Sequence, residues 1–321
     1  MRRVVGLGLC VVDHFYVVDR LDLSHDRTCY REHLVTSGGM TGNALVQAAR
    51  LGCRPRLLSW IGDDADGRFL RRTLRSQGVD TRGLLLSPRA ETTRAVCLVA
   101  RRSGERRFLV ADRRALERRA PALDLTSISP GGLLLVDGHF PAQALRAVKR
   151  ARRLGATVIG DFHRFGPAAR SLLPYVDYPI VPAEFARSHP ARDPHRVLRR
   201  LAERHGGTPV LTLGARGGLY WQDGRVRRFA SPRVRVRDTT GAGDAFHGAF
   251  AAALHHGLDL EPALAVAARA AAVCCTALGG TTRLLRRDQV PAFRKRSRVR
   301  PARGARSSGG RSRAPVPRHP S

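Results

Sequence analysis

The sequence predicts a three-layer α/β fold, with a mostly parallel central sheet between helices and a small additional β layer. Three observations carry this. Apolar runs of strand length alternate with Ala- and Arg-rich helical stretches along most of the 321 residues. Several helical stretches end at a glycine, the residue that most readily takes the left-handed conformation of a helix end. Two segments, about 13–36 and 91–112, break the alternation and carry only strand signals.

Taken in order, Val4–Val12 is apolar and reads as a buried first strand, with Asp13 at its carboxyl edge. Phe15–Val18 and Leu34–Thr36 read as short strands around a polar stretch. Thr41–Leu51 has helix composition and stops at Gly52. Arg56–Trp60 reads as a strand and Asp66–Gln77 as a helix closed by Gly78. Thr93–Ala100 and Arg106–Val110, joined by Arg-Ser-Gly-Glu, read as a hairpin. Leu133–Val136, Thr157–Asp161, Tyr178–Val181 and Pro209–Leu213 are strand-like. Helices are expected at Ala142–Arg153 and Arg196–His205, and across Ala263–Leu278 after Gly257. Such alternation implies parallel strands covered on both faces.

A hydrophobic content of 43% suits one α/β domain, expected over residues 1–291. From Phe293 the chain is Arg, Ser, Gly and Pro with few apolar residues. Residues 292–321 are therefore expected to be a disordered Arg-rich tail. There is no apolar run of transmembrane length, and Asp13 interrupts the N-terminus too early for a signal peptide. The six cysteines lack metal-ligand spacing and fit free thiols, so a cytoplasmic location is expected. The net charge of +31 invites a nucleic-acid reading. However, all but Lys149 and Lys295 of the 57 basic residues are Arg, a compositional bias, and aromatics rarely interleave with them. Nucleic acid and membrane are therefore not the expected partners; a small anionic nucleotide is compatible with the charge.

The most informative stretch is Arg237-Asp-Thr-Thr-Gly-Ala-Gly-Asp-Ala-Phe-His-Gly-Ala-Phe250. Gly241, Ala242 and Gly243 form a small-residue turn whose N–H groups can approach an anion. The Ala-rich continuation opens a helix, whose positive end faces the same anion. Asp244 then lies in the first helical turn, where a carboxylate can reach a substrate hydroxyl. An anion hole beside one carboxylate base is most of what phosphoryl transfer asks of a protein. The plainer reading of Gly-Ala-Gly-Asp is a capped helix start, which the full fourteen residues make less apt. No Gly-x-x-x-x-Gly-Lys-Ser/Thr motif occurs, and Gly6-x-Gly8 is too incomplete for a dinucleotide fingerprint.

The stretch Asp238–Phe250 resembles the C-terminal signature of the ribokinase-like, or PfkB, carbohydrate kinases. Gly38-Gly-Met-Thr-Gly-Asn43 through Gly52 resembles their N-terminal signature. Ile61-Gly-Asp-Asp-Ala-Asp-Gly67 with Gly78-Val-Asp80 follows the same family's pattern. The likeness runs from about Val4 to about Leu284 and implies an ATP-dependent sugar kinase. By it, Asp244 is the general base and Gly241, Ala242 and Gly243 are the anion hole. Asp13, Gly39 and Asn43 contact the sugar, with a strand-end turn as the alternative for Asp13 and a helix cap for Asn43. The segments 13–36 and 91–112 become a lid that excludes water and, in the family, often pairs two subunits.

Asp137-Gly-His139-Phe and Gly-Asp161-Phe-His163-Arg164 resemble a ketohexokinase-like and sulfofructose kinase-like subgroup. Asp137 and His139 are thus expected to contact the substrate, and His139, Arg164 and Arg94 are candidates for a charged substrate group, or else structural polar residues. A ketose or sulfo-sugar is the first expectation, with ribose, 2-keto-3-deoxygluconate and nucleosides open. Thr212, Gly214 and Gly217 match the nucleotide-side loop, and Gly279 the loop beside adenine. Glu184 matches a residue that helps place Mg²⁺ through water, although Val181 stands where the family has Asn. Asp238 and Thr240 match a stretch that in relatives shapes a monovalent-cation site. Two rival functions remain: a nucleoside kinase, and a catalytically weak regulator that binds sugar or nucleotide.

Overall fold

The computed structural model describes residues 3–294, except 23, 25, 104, 113–115, 118 and 119. The strands are β1 (Val4–Leu7), β2 (Val11–Val18), β3 (Tyr30–Gly38), β4 (Arg56–Ile61), β5 (Leu84–Leu86), β6 (Arg94–Ala100), β7 (Arg106–Val110), β8 (Leu133–Val136), β9 (Thr157–Asp161), β10 (Tyr178–Pro182), β11 (Val210–Thr212), β12 (Gly218–Gln222) and β13 (Arg225–Phe229). The helices are α1 (Met40–Arg50), α2 (Ala65–Ser76), α3 (Pro141–Arg153), α4 (Pro167–Leu172), α5 (Ala183–Ser188), α6 (Pro194–His205), α7 (Ala242–His255), α8 (Leu260–Cys274) and α9 (Pro291–Arg294).

Nine strands form the large sheet in the order β13-β12-β11-β10-β9-β8-β1-β4-β5. From β11 to β5 every pairing is parallel, while β12 and β13 are an antiparallel edge. Alternation along each strand separates two cores. Val4, Leu57, Leu133, Leu135 and Ile159 face α1, α2, α7 and α8. Val5, Leu7, Leu58, Leu134, Val136 and Val158 face α3, α4, α5 and α6. The helices obey the same logic. In α6, Val197, Leu198 and Leu201 are buried on one stripe, and Asp193 caps the start by accepting from the Arg196 N–H. None of the described helices is long and apolar enough to cross a membrane.

The apolar run Val4–Val12 is not one strand. It leaves the large sheet after Leu7, turns through Gly8–Cys10, and re-enters a second sheet at Val11. Asp13 therefore lies inside β2, not at the end of β1. The turn packs tightly at Gly8, where a Cβ would collide with Thr41 and the Asp137 carboxylate. This second sheet has the order β3-β2-β6-β7. It is mixed rather than the expected hairpin layer alone: β2 runs parallel to β6, while β3 and β7 flank them antiparallel. The last long helix ends at Cys274, short of the expected Leu278.

Helices α1 and α7 approach unusually closely. A Cβ on Gly248 would collide with the carbonyl oxygen of Ala44, so only glycine permits the contact. Phe293, expected at the start of the tail, is buried in the core beside the His256 ring, with centroids 4.3 Å apart. The rest of the expected tail, residues 295–321, lies outside the described residues.

Replacing Gly248 with Ala should force α1 and α7 apart and cost about 1–3 kcal/mol of stability. Urea unfolding followed by circular dichroism measures this; an unchanged midpoint would contradict the packing.

Candidate functional site

Strand order reverses direction between β1 and β8: the chain builds outward to β4 and β5 on one side, and to β9, β10 and β11 on the other. The carboxyl ends of these two strands therefore form the crevice where open α/β sheets take ligands. Asp137 follows β8 and ties the crevice together. Its Oδ2 accepts from the Leu9 N–H at 2.7 Å and the Thr41 hydroxyl at 2.9 Å, and its Oδ1 accepts from the His139 N–H at 3.0 Å. Burial opposes ionisation of Asp137. The charge and hydrogen bonds of His139, with the Leu9 N–H, outweigh burial and hold this carboxyl below its ordinary value. The His139 ring turns toward Asp137, its Nδ1 3.3 Å from Oδ1.

The N-terminus of α7 faces the same crevice. Gly241 is its N-cap, left-handed at φ 75°, and no side chain caps the first turn. The positive end of the helix thus faces the crevice without a side-chain cap, although the Ala242 N–H donates to the Thr239 carbonyl at 3.3 Å. Gly241 can turn this way because it packs on Gly280, whose Cα would be 2.5 Å from a Cβ at position 241. Asp244 lies one residue further into the helix than Gly243. The close approach of α1 brings Asn43 Nδ2 within 2.8 Å of Asp244 Oδ2, joining two motifs 201 residues apart in sequence.

Several further carboxyls share this floor. Asp244 is pushed up to about 7, first by burial and then by the charge of Asp161, with Asn43 working in the opposite direction. Asp13 is also pushed up to about 7, by burial and by the charges of Asp244 and Asp238. Gly38 leaves room for it, since a Cβ there would collide with the Asp13 carboxyl. Asp161 lies well above its ordinary value, because it is buried and close to Asp137. The His247 ring bridges this floor to the turn. Its Nδ1 is 2.7 Å from the Gly243 carbonyl and 3.4 Å from Asp161, and its Nε2 is 3.2 Å from the Ile180 carbonyl. Burial keeps its pKa below the ordinary histidine value.

Behind the turn, Asp238 is fully committed. Its Oδ1 accepts from the Thr240 N–H at 2.9 Å and the Thr240 hydroxyl at 2.8 Å, and its Oδ2 accepts from the Gly279 N–H at 2.9 Å. Arg106 of β7 donates to the Thr240 hydroxyl at 2.9 Å and lies 3.6 Å from Asp238 Oδ1. Asp238 thus accepts three hydrogen bonds with a guanidinium beside it, so its charge is already partly balanced at the place where the sequence resemblance implies a monovalent cation.

The model of the pfkB family carbohydrate kinases matches residues 1–286. The chain belongs to the PfkB family of carbohydrate kinases. Such proteins are phosphotransferases with an alcohol acceptor. The chain is 25% identical over 294 residues to ribokinase of Bacillus subtilis, covering 90% of this chain and 98% of the relative. It is 30% identical to aminoimidazole riboside kinase of Salmonella typhimurium, covering 81% and 88%. A solved putative ribokinase from Agrobacterium tumefaciens superposes with a TM-score of 0.83 at 26% identity, covering 92% of this chain and 98% of that one. A putative ribokinase II from Escherichia coli, solved with ATP and Mg²⁺, superposes with a TM-score of 0.78 at 21% identity, covering 92% and 100%. The smaller sheet occupies the place of the family's lid.

Within this kinase fold the remaining expected site residues divide. Thr212 ends β11, and Gly214 and Gly217 follow in left-handed turns at φ 61° and 76°. Since β8, β9, β10 and β11 are neighbours in that order, this loop lies three strands away from Asp137 after β8. Gly279, at φ 84°, joins the turn through Asp238. Arg94 is not brought to the floor: it pairs with Asp66 of α2 and lies 3.6 Å from Glu91. Arg164 is directed to Glu184 at 3.5 Å, and Arg187 pairs with the same carboxylate. The Arg187 bond holds Glu184 below the ordinary glutamate value. Among the described residues no group of three His, Cys, Asp or Glu side chains is arranged to hold a metal.

Sequence reasoning missed Arg106, His247 and Gly280. Arg106 gives no local signal, because its partner lies 134 residues away. His247 and Gly280 sit beside motif residues, and that position was the one available clue.

The raised carboxyls set the sign of a pH effect. Their folded-state pKa of about 7 exceeds the ordinary 3.8, so the neutral forms favour the fold. That contribution is complete below about pH 4 and is lost as pH rises through about 7. Asp244→Asn should therefore stabilise the ligand-free protein increasingly from about pH 4 to about pH 7, by up to several degrees in Tm. Parallel Tm curves for variant and wild type would contradict the assignment of a raised pKa to Asp244.

Proposed function

We propose that this kinase transfers the γ-phosphoryl group of ATP to a hydroxyl of a neutral sugar, with Asp244 as general base. The observation that carries the reading is the 2.8 Å bond between Asn43 and Asp244, which holds a carboxyl of pKa about 7 beside a helix N-terminus that no side chain caps. A base near the working pH is ionised in part and still strong enough to accept a proton.

The substrate hydroxyl gives its proton to Asp244 as its oxygen bonds to the γ-phosphorus in line. The bond from phosphorus to the β–γ bridging oxygen breaks, and ADP leaves with that electron pair. The Gly241, Ala242 and Gly243 amides hold the charge on the transferred oxygens. Asn43 orients the Asp244 carboxyl, and His247 fixes the turn through the Gly243 carbonyl. Asp13 and the backbone at Gly39 receive the sugar hydroxyls. Thr212, Gly214, Gly217 and Gly279 line the nucleotide end. Bound Mg²⁺ would neutralise phosphate charge, and Glu184 is the residue that would help hold it.

The carboxyl-rich floor supports a neutral substrate. Asp13, Asp137, Asp161 and Asp244 gather there, and Arg94 and Arg164 are paired elsewhere. An anionic sugar would meet repulsion, so a neutral furanose or its glycoside fits better than a sulfo-sugar or keto-acid. Exposed Tyr30, Phe108, Leu109 and Val110 on the outer strands of the lid suit a homodimer contact.

ADP release from MgATP across neutral sugars, ribosides, sulfo-sugars and keto-acids tests this. Turnover is expected on a neutral sugar, with kcat/KM rising through about pH 7. Asp244→Ala should lower kcat by about 10²–10⁴-fold with nucleotide affinity retained. Near-normal kcat in that variant would overturn the mechanism, and turnover confined to anionic sugars would overturn the substrate class.

A further inference from the structure

We propose that Arg106 is the built-in counter-cation of the phosphate-binding turn, so that the enzyme reaches full rate without a dissociable monovalent cation. The proposal rests on the kinase reading of the site.

Asp238 begins the segment that becomes the turn, and its side chain has no solvent exposure. A buried carboxylate without an opposite charge is costly, so something must balance it. The basic side chain set against it is Arg106, 3.6 Å from Oδ1 and bonded to Thr240 at 2.9 Å. Arg106 differs from the rest of β7. It alone is drawn partly inward, whereas Arg107, Phe108, Leu109 and Val110 are exposed. Its register opposite Val99, which itself pairs with Val17, puts it on the inner face of the lid. The guanidinium is charged at all working pH values and cannot diffuse away.

The geometry also explains how one residue acts on the turn. Thr240 precedes Gly241, and its hydroxyl accepts from Arg106 while donating to Asp238. Asp238 in turn holds the Gly279 N–H, and Gly280 supports Gly241. Arg106 thus fixes, through Thr240 and Asp238, both loops that shape the anion hole. It is a positioning residue, because it touches neither sugar nor phosphate. Since β7 belongs to the lid, the contact also fixes the lid relative to the turn.

The test compares wild type, Arg106→Ala, Arg106→Gln and Arg106→Lys in KCl, NaCl and N-methylglucamine chloride at matched ionic strength. The readouts are the Tm of the ligand-free protein and kcat and KM for phosphorylation. Wild type should keep its Tm and change rate by less than about twofold between salts. Arg106→Ala should lose about tenfold or more in kcat without K⁺, recover with K⁺ or added guanidinium, and gain Tm specifically in KCl. Arg106→Gln, which keeps a hydrogen bond to Thr240 without the charge, should respond to K⁺ in the same way, and Arg106→Lys should stay close to wild type. A wild type strongly activated or stabilised by K⁺ would overturn the proposal, as would an Arg106→Gln variant that ignores K⁺. If wild type phosphorylates no sugar, the kinase reading falls, and the Tm response to K⁺ still decides the role of Arg106.

Discussion

Gly248 lies against the backbone of Ala44, and the candidate site depends on that approach. Helices normally pack at a distance set by the side chains between them, and here glycine and alanine reduce that layer to almost nothing. The consequence is a short path between two sequence motifs 201 residues apart: Asn43 meets Asp244. Without it, the carboxyl at the N-terminus of α7 would still exist, but it would lack the amide that orients it.

The second constraint is electrostatic. Burial raises several carboxyls of the floor, and the like charges gathered beside them raise them further. Asp137 escapes because Leu9, Thr41 and His139 surround it with donors. Asp13, Asp161 and Asp244 are raised instead. This divides their work by environment: a low-pKa carboxylate holds the crevice together, and raised ones remain available for protons and hydroxyls. A carboxyl-rich floor also argues against an anionic acceptor. The positive end of α7 and the Arg106–Asp238 pair sit beside it, where the transferred phosphoryl group would pass.

Much of this was legible in the sequence, because its signals are local. The helix after Gly39 and the turn at Gly241–Gly243 announce themselves through glycine and alanine within a few residues. The alternation of strand and helix gives the parallel sheet. The break after Leu7 was hidden, because hydrophobicity runs unbroken through Val12 and the partner of the Leu9 N–H in the turn, Asp137, lies 128 residues away. The β12–β13 hairpin was overlooked although Asp223-Gly224 is a standard two-residue turn signal, and both residues are indeed left-handed. Arg94 and Arg164 looked available as charges, and only folding reveals their carboxylate partners. Phe293 looked like the start of a solvated tail, yet one aromatic ring found room beside His256.

The chemistry proposed for the site turns on the state of one carboxyl, and its titration is the most direct measurement. Aspartate side chains labelled with ¹³C can be followed by NMR from pH 4 to pH 9 in wild type, with Asp244→Asn identifying the resonance. The account predicts a signal that disappears in the variant and titrates near 7, coupled to that of Asp13. A carboxyl at Asp244 that titrates near 4, as an exposed aspartate does, would contradict it.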